Sequence, residues 1–145
     1  MSVQPQDLIS HILHTARSIE RMCDNEARQT GLTGSQARLL CFLSIVTLGQ
    51  DIYQKDIEEA FGIRPSSATG LLQALEQQGF IRREPVSLDG RLKKIVFTEK
   101  AQEIQSRVVA NHKKALERLQ GPLSDREVAN FMKLCSGFAE RAAGI

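Results

Sequence analysis

The segment from Ile52 to Thr98, IYQKDIEEAFGIRPSSATGLLQALEQQGFIRREPVSLDGRLKKIVFT, restricts the possible folds more than any other part of the chain. Two short stretches with helical apolar spacing flank Gly62-Ile63-Arg64, and two strand-like runs flank Asp89-Gly90. Gly62 can take the left-handed conformation that ends a helix abruptly, and Ile63 can plug the angle between two helices. Pro65 suits the first position of the next helix, where its missing N–H would have no partner anyway. Ile57, Ala60 and Phe61 supply the inner face of the first helix. Ala68, Leu71, Leu72 and Leu75 supply that of the second, which Gly79 closes. Phe80 and Ile81 begin one strand, Ile95 to Thr98 belong to the other, and Asp-Gly between them is a strong hairpin signal. The pattern predicts a helix-turn-helix followed by a β-hairpin wing.

The outer face of the second helix is informative by what it lacks. Ser66, Ser67, Thr69, Gly70 and Gln73 occupy it, and Glu76 is the one charge between Pro65 and Gln78. Solvated helix faces usually carry Glu and Lys. A helix entering the major groove needs short hydrogen-bonding side chains near its N-terminus, and Gly70 permits close approach. The hairpin argues the same way. Arg82, Arg83, Arg91, Lys93 and Lys94 stand against only Glu84 and Asp89, a local positive excess suited to a phosphate backbone. Arg91 sits at or beside the tip, where a long cation can enter the minor groove. Asp89 could hold that guanidinium through a bidentate pair. Asp-Gly alone would be no more than good turn chemistry.

Long amphipathic segments flank this module. Leu8, Ile12, Ala16, Ile19 and Cys23 recur at steps of three and four, one helical face, with Ile9, Leu13 and Met22 widening it. Asp7 suits the start of this helix and Thr30-Gly31 stops it. Thr33, with Gln36 three residues on, predicts a capping box for a second helix whose apolar residues, Ala37, Leu40, Phe42, Leu43 and Val46, are spread broadly; Gly49 ends it. Asp51 or Tyr53 opens the next helix, and the Asp is the better cap. Thr98 caps a long helix to about Gln120 with a stripe of Ala101, Ile104, Val108, His112, Ala115 and Leu119. Ser124 and Glu127 open the last helix, whose face is Val128, Phe131, Met132, Cys135, Phe138 and Ala142. A small winged module cannot cover so much apolar face, so the terminal helices are expected to lie together and to pair with a second chain.

The remaining composition excludes several alternatives. With 145 residues the chain can build a real core, and without Trp it must rely on aliphatic side chains and a few Phe. A net charge of +2 says little about partners. No apolar run approaches the ~20 residues that span a bilayer. The N-terminus, MSVQPQDLIS, has neither a basic nor an apolar leader region, so export is not expected. Three cysteines without paired spacing fit a reducing cytoplasm. There is no Gly-rich phosphate loop, nucleophile elbow or acid–base pair on neighbouring turns, which argues against an enzyme.

Taken in order, Leu32-Thr33, YQKDIEEAFGI, SSATGLLQALEQQGFIRR and SLDGRLKKIVFTEKA resemble the MarR family of transcriptional regulators over nearly the whole chain. The resemblance implies a mainly α protein with a small β-hairpin wing. In it, residues 32–98 form a winged helix-turn-helix and residues 1–31 with 99–145 form dimerisation helices, among whose contacts we expect Leu8, Ile12, Phe131 and Phe138. It implies a homodimer on a pseudo-palindromic DNA operator, most often a repressor, released by a small phenolic or lipophilic effector, with no cofactor. Asp89 and Arg91 carry over as wing residues, and Ser66, Ser67, Thr69 and Gly70 as recognition-helix positions. Arg64 replaces the family's usual hydroxyl cap and is expected to contact phosphate, as are Gln73 and Lys93 to contact DNA. Tyr53 and Ala101 also depart from the family pattern. Family clefts are walled partly by the first helix, so Arg17, His14 and His112 are the effector candidates.

Alternatives with the same fold stay open. The oxidant-sensing branch of the family keeps its reactive cysteine near the start of the first helix; Cys23 lies late in it, and Cys41 and Cys135 also fall in helices, where cysteine is usually inert packing. His11 and His14 have the spacing to share a metal with Asp7, though two such histidines are more often polar surface, and no metal site is expected. His112, on an apolar stripe, is by default a core histidine. A winged domain used only for protein contacts would not need a charge-poor recognition face beside a basic hairpin.

Overall fold

A computed structural model of the chain describes residues 3–88 and 90–144. It contains helices α1 (Leu8–Ala27), α2 (Gly34–Val46), α3 (Gln54–Phe61) and α4 (Pro65–Gln77), strands β1 (Ile81–Pro85) and β2 (Lys93–Phe97), and helices α5 (Glu99–Gln120) and α6 (Asp125–Ala143), with a single 3-10 turn at Arg28–Thr30. The fold is mainly α with one antiparallel hairpin. The chain divides into two compact units, Met1–His112 and Lys113–Ile145.

Local chemistry explains where the helices begin. The Asp7 carboxylate accepts from the Ser10 N–H at 3.0 Å, and that bond holds the Asp7 carboxyl below its usual range. Thr33 and Gln36 form the capping box, each side chain accepting from the other's backbone N–H at 3.2 Å, and Ser124 with Glu127 repeats it at 3.1 Å. The start of α3 differs from expectation: the cap is Tyr53, whose N–H donates to Asp56 Oδ2 at 2.9 Å. Asp56, three residues inside the helix, does the work assigned to Asp51, and Asp51 lies 4.0 Å from Lys94 Nζ instead. Thr98 belongs to the α5 start rather than to β2. Its hydroxyl accepts from Ala101 N–H at 3.2 Å and lies within hydrogen-bonding distance of two carbonyls, Gly79 at 2.7 Å and Phe80 at 3.0 Å.

The core of the first unit gathers Leu39, Leu40 and Leu43 of α2, Ile57 of α3, Leu72 and Leu75 of α4, Ile81, Ile95, and Ala101 and Val108 of α5. Ala60, expected on the inner face of α3, is exposed, because that short helix turns only Ile57 fully inward. Helix α1 packs its C-terminal end on α2, and the contact is close. The Gly34 N–H donates to Asp24 Oδ1 at 2.7 Å, and a Cβ on Gly34 would lie 2.8 Å from the Asp24 nitrogen. The rest of the α1 stripe is uncovered: Leu8 is 59% exposed and Ile12 41%. In the second unit α6 leaves Phe131 59% and Met132 63% exposed, while Phe138 is half-buried with the Arg141 guanidinium 5.4 Å from its ring centre. Cys135 is exposed rather than packed. No helix among the described residues is long and apolar enough to cross a membrane.

Candidate nucleic-acid interface

Helices α3 and α4 meet at Gly62, whose φ of 60° is the left-handed conformation that lets the Ile63 N–H return to the Glu58 carbonyl at 3.1 Å. Pro65 then opens α4 at its first position. Ala68, Leu72 and Leu75 are fully buried, which fixes the rotation of α4 about its axis. That rotation leaves Ser66, Ser67, Gly70 and Gln73 exposed on the opposite face. Arg64, the residue before Pro65, is exposed and makes no side-chain cap bond, so the first-turn amides of α4 keep their partial positive charge. A Cβ on Gly70 would meet nothing within 4 Å. Mid-helix glycine costs about 0.5–1 kcal/mol relative to alanine, and no contact among the described residues requires it here.

Thr69 stands apart from its neighbours. It is half-buried, and its hydroxyl donates to the Pro65 carbonyl at 2.9 Å while accepting from Gln54 Nε2 at 2.9 Å. Gln54 Nε2 also donates to the Pro65 carbonyl at 3.3 Å, and Gln54 Oε1 accepts from Arg83 Nη2 at 3.2 Å. The amide orientation follows from its partners, since a carbonyl can only accept and a guanidinium only donate. Sequence reading assigned nothing to Gln54, and counted Arg83 only as wing charge.

The hairpin register pairs Ile81 with Phe97, Arg83 with Ile95 and Pro85 with Lys93. Beyond it, the Val86 N–H reaches the Leu92 carbonyl at 3.1 Å, and Gly90 turns with φ 68°. Side chains alternate along a strand, so Arg83 shares the inward side with Ile81 while Arg82 and Glu84 face out. Arg82, Arg83 and Lys94 have partners elsewhere in the fold. Arg82 pairs with Glu84 at 3.4 Å, Lys94 with Asp51, and Arg83 turns to Gln54. Arg91 and Lys93 are exposed at and below the tip. Asp89, expected to orient Arg91, lies outside the described residues.

The effector candidates are dispersed along the helices. His14 and Arg17 are exposed on α1, and His112 is half-buried on α5. Burial, and then the charge of Arg38, hold the His112 imidazole below its ordinary value. Arg38, from α2, is thus the guanidinium that acts on His112, and it also stacks 5.2 Å above the Phe61 ring. Open clefts of about 720 and 310 Å³ flank the hairpin, and His14, Arg17 and His112 line neither. Burial pushes the thiols of Cys23 and Cys41 up, away from the reactive thiolate. Among the described residues no group of three or more His, Cys, Asp or Glu is placed to hold a metal, and that includes His11 and His14.

Two helices joined at Gly62 and backed by a β-hairpin, with the second helix turning a polar face outward, define a winged helix-turn-helix protein. The model of the MarR family matches residues 30–92. The HTH-type transcriptional regulator PecS of Dickeya dadantii is 26% identical over 134 residues, covering 92% of this chain and 81% of that protein. The crystal structure of the transcription regulator MarR from Oenococcus oeni PSU-1 superposes with a TM-score of 0.81 at 25% identity, over 92% of this chain and 99% of the other. The S. aureus MepR–DNA complex (TM-score 0.80, 22% identity, 92% and 99% covered) and CouR from Rhodococcus jostii RHA1 bound to p-coumaroyl-CoA (0.75, 19%, 92% and 92%) share the fold. Residues 30–92 are thus similar to the MarR family, and the relatives of comparable length that the chain resembles are transcriptional regulators.

Proposed function

We propose that the protein is a cytoplasmic, homodimeric repressor that binds a pseudo-palindromic operator in double-stranded DNA and leaves it when a small lipophilic or phenolic effector binds. The observation that carries the DNA reading is the outer face of α4. Ser66, Ser67, Gly70 and Gln73 are exposed, uncharged and short enough to reach base edges, and Gly70 has no packing reason to be glycine. Arg64 at the head of that helix contacts phosphate, Arg91 enters the minor groove, and Lys93 adds backbone attraction. Asp89 is proposed as the partner that orients Arg91. MepR, solved with DNA, supports the partner class.

Residues 32–98 serve as the DNA-binding part, and residues 1–31 with 99–145 as the dimerisation part. The support is the apolar surface left on α1 and α6 by a single chain, at Leu8, Ile12 and Phe131, with Phe138 beside it. Monomeric proteins rarely leave large contiguous apolar surface in water. The effector reading is supported by CouR, which was solved with p-coumaroyl-CoA. Among His14, Arg17 and His112, the half-buried His112 near Arg38 is the strongest candidate to meet such a ligand.

The test is a mobility shift on duplexes enriched by the protein from a randomised library. Phosphate-dominated binding weakens linearly with the logarithm of salt concentration, and Arg91→Ala weakens it by about 1–3 kcal/mol with the dimer intact. Affinity indifferent to salt refutes the DNA reading; an Arg91→Ala variant that binds like wild type refutes the wing assignment.

A further inference from the structure

The Gln54 side chain ties three parts of the winged module together. Its Nε2 donates to Thr69 Oγ1 at 2.9 Å and to the Pro65 carbonyl at 3.3 Å, both in the first turns of α4. Its Oε1 accepts from Arg83 Nη2 at 3.2 Å, on the strand that leads into the wing. Arg83 has no carboxylate within ion-pair distance among the described residues, and its buried Nε has no hydrogen-bond partner among them. Gln54 is therefore the identified holder of a guanidinium turned into the fold.

We propose that Gln54 is a positioning residue for operator recognition, a strut that sets the α4 N-terminus against the wing strand, and that Thr69 serves this strut rather than reading a base. The inference rests on the DNA reading above. Both DNA-contacting elements converge on one amide: if α4 shifts, Pro65 and Thr69 carry Gln54 with them, and Gln54 carries Arg83 and β1. Sequence discrimination needs the helix and the wing held in one mutual geometry, whereas general phosphate attraction tolerates their relative movement. Loss of the strut therefore lowers selectivity more than it lowers overall binding.

Gln54→Glu separates positioning from stability. A carboxylate still accepts from Arg83, now as a charged pair, but can no longer donate to Pro65 or Thr69. Wild type, Gln54→Glu and Thr69→Val would be compared in full-length protein on the duplex enriched by wild type and on a mixed-sequence duplex, with thermal melting alongside. The expected result for Gln54→Glu is an unchanged or raised Tm and a drop of about tenfold in the ratio of enriched to mixed-sequence affinity, as loss of one to two hydrogen bonds implies. Thr69→Val should lower the same ratio by less, and should add nothing in the Gln54→Glu background. A variant whose ratio equals that of wild type, or one whose ratio falls only in step with Tm, overturns the strut. Fully additive effects of the two substitutions show instead that Thr69 reads DNA independently, and overturn its assignment. A wild-type chain that enriches no duplex overturns the DNA reading itself and this inference with it, an outcome distinct from the others.

Discussion

Gly34→Ala is the substitution whose cost the structure lets one calculate most directly. Gly34 is not among the glycines with positive φ, so its backbone would accept alanine without strain. The obstacle is space. The added Cβ would lie 2.8 Å from the Asp24 nitrogen, 2.9 Å from Asp24 Oδ1 and 2.9 Å from the Cys23 carbonyl carbon. Two of these atoms are α1 backbone and cannot rotate away. Relief requires α1 and α2 to part by roughly 0.5 Å or more, toward ordinary contact distances of about 3.5 Å. Overpacking of this kind costs about 1–3 kcal/mol. The same movement stretches the 2.7 Å bond from the Gly34 N–H to the Asp24 carboxylate, a class of bond contributing about 1.5–3 kcal/mol when intact. At the first helical position alanine returns less than the ~0.5–1 kcal/mol of a mid-helix exchange. The expected net loss is about 2–3 kcal/mol, read by urea unfolding followed by circular dichroism at fixed protein concentration. Gly70→Ala is the internal control, since its Cβ meets nothing: it should gain about 0.5–1 kcal/mol while weakening operator binding. A Gly34→Ala protein as stable as wild type would refute the close approach of α1 and α2.

Other outcomes follow from exposure and charge. Replacing Leu8 and Ile12 together by Asp should turn a dimer into monomers in light scattering and weaken operator binding while preserving the fold, since both side chains are exposed within the single chain; a variant that stays a tight dimer removes α1 from the interface. The His112 imidazole is held below its ordinary value of 6.5, so the folded state binds that proton less readily than the unfolded one. This contribution to stability is intact above the unfolded value and declines as pH falls through it toward the folded value. His112→Gln should flatten that acid limb in thermal melts between neutral and mildly acidic pH, and an unaltered limb would show that other groups produce it.

Legibility in the sequence followed the range of the interaction. Capping boxes at Thr33 and Ser124, the left-handed Gly62, Pro65 at the head of α4 and the turn at Gly90 depend on residues within a few positions of one another, and the chain states them openly. The buried positions of α4 were equally plain, because Ala68, Leu72 and Leu75 repeat with the helical period. The start of α3 was missed for a local reason: Asp51 has the better capping chemistry, yet the bond that Asp56 makes back to the Tyr53 N–H decides the boundary. Ala60 was misplaced because three apolar residues in a short helix need not all face inward.

Tertiary structure decided where the charges go. Five basic residues around the wing read as one patch in sequence, but strand alternation and register send Arg83 inward to Gln54, while Arg82 and Lys94 meet Glu84 and Asp51. Thr69 changed from an outward polar residue to a half-buried one for the same reason: its partner, Gln54, is fifteen positions away. The demand for glycine at position 34 is likewise invisible in the sequence, because it arises from α1 backbone that only packing brings near. By itself the sequence determined the elements, their order and the polar face of α4, since these follow from short-range periodicity and backbone chemistry. Which cations remain exposed beside that face, and what holds it at its angle to the wing, depended on contacts between residues distant in the chain, and only the folded structure supplies those.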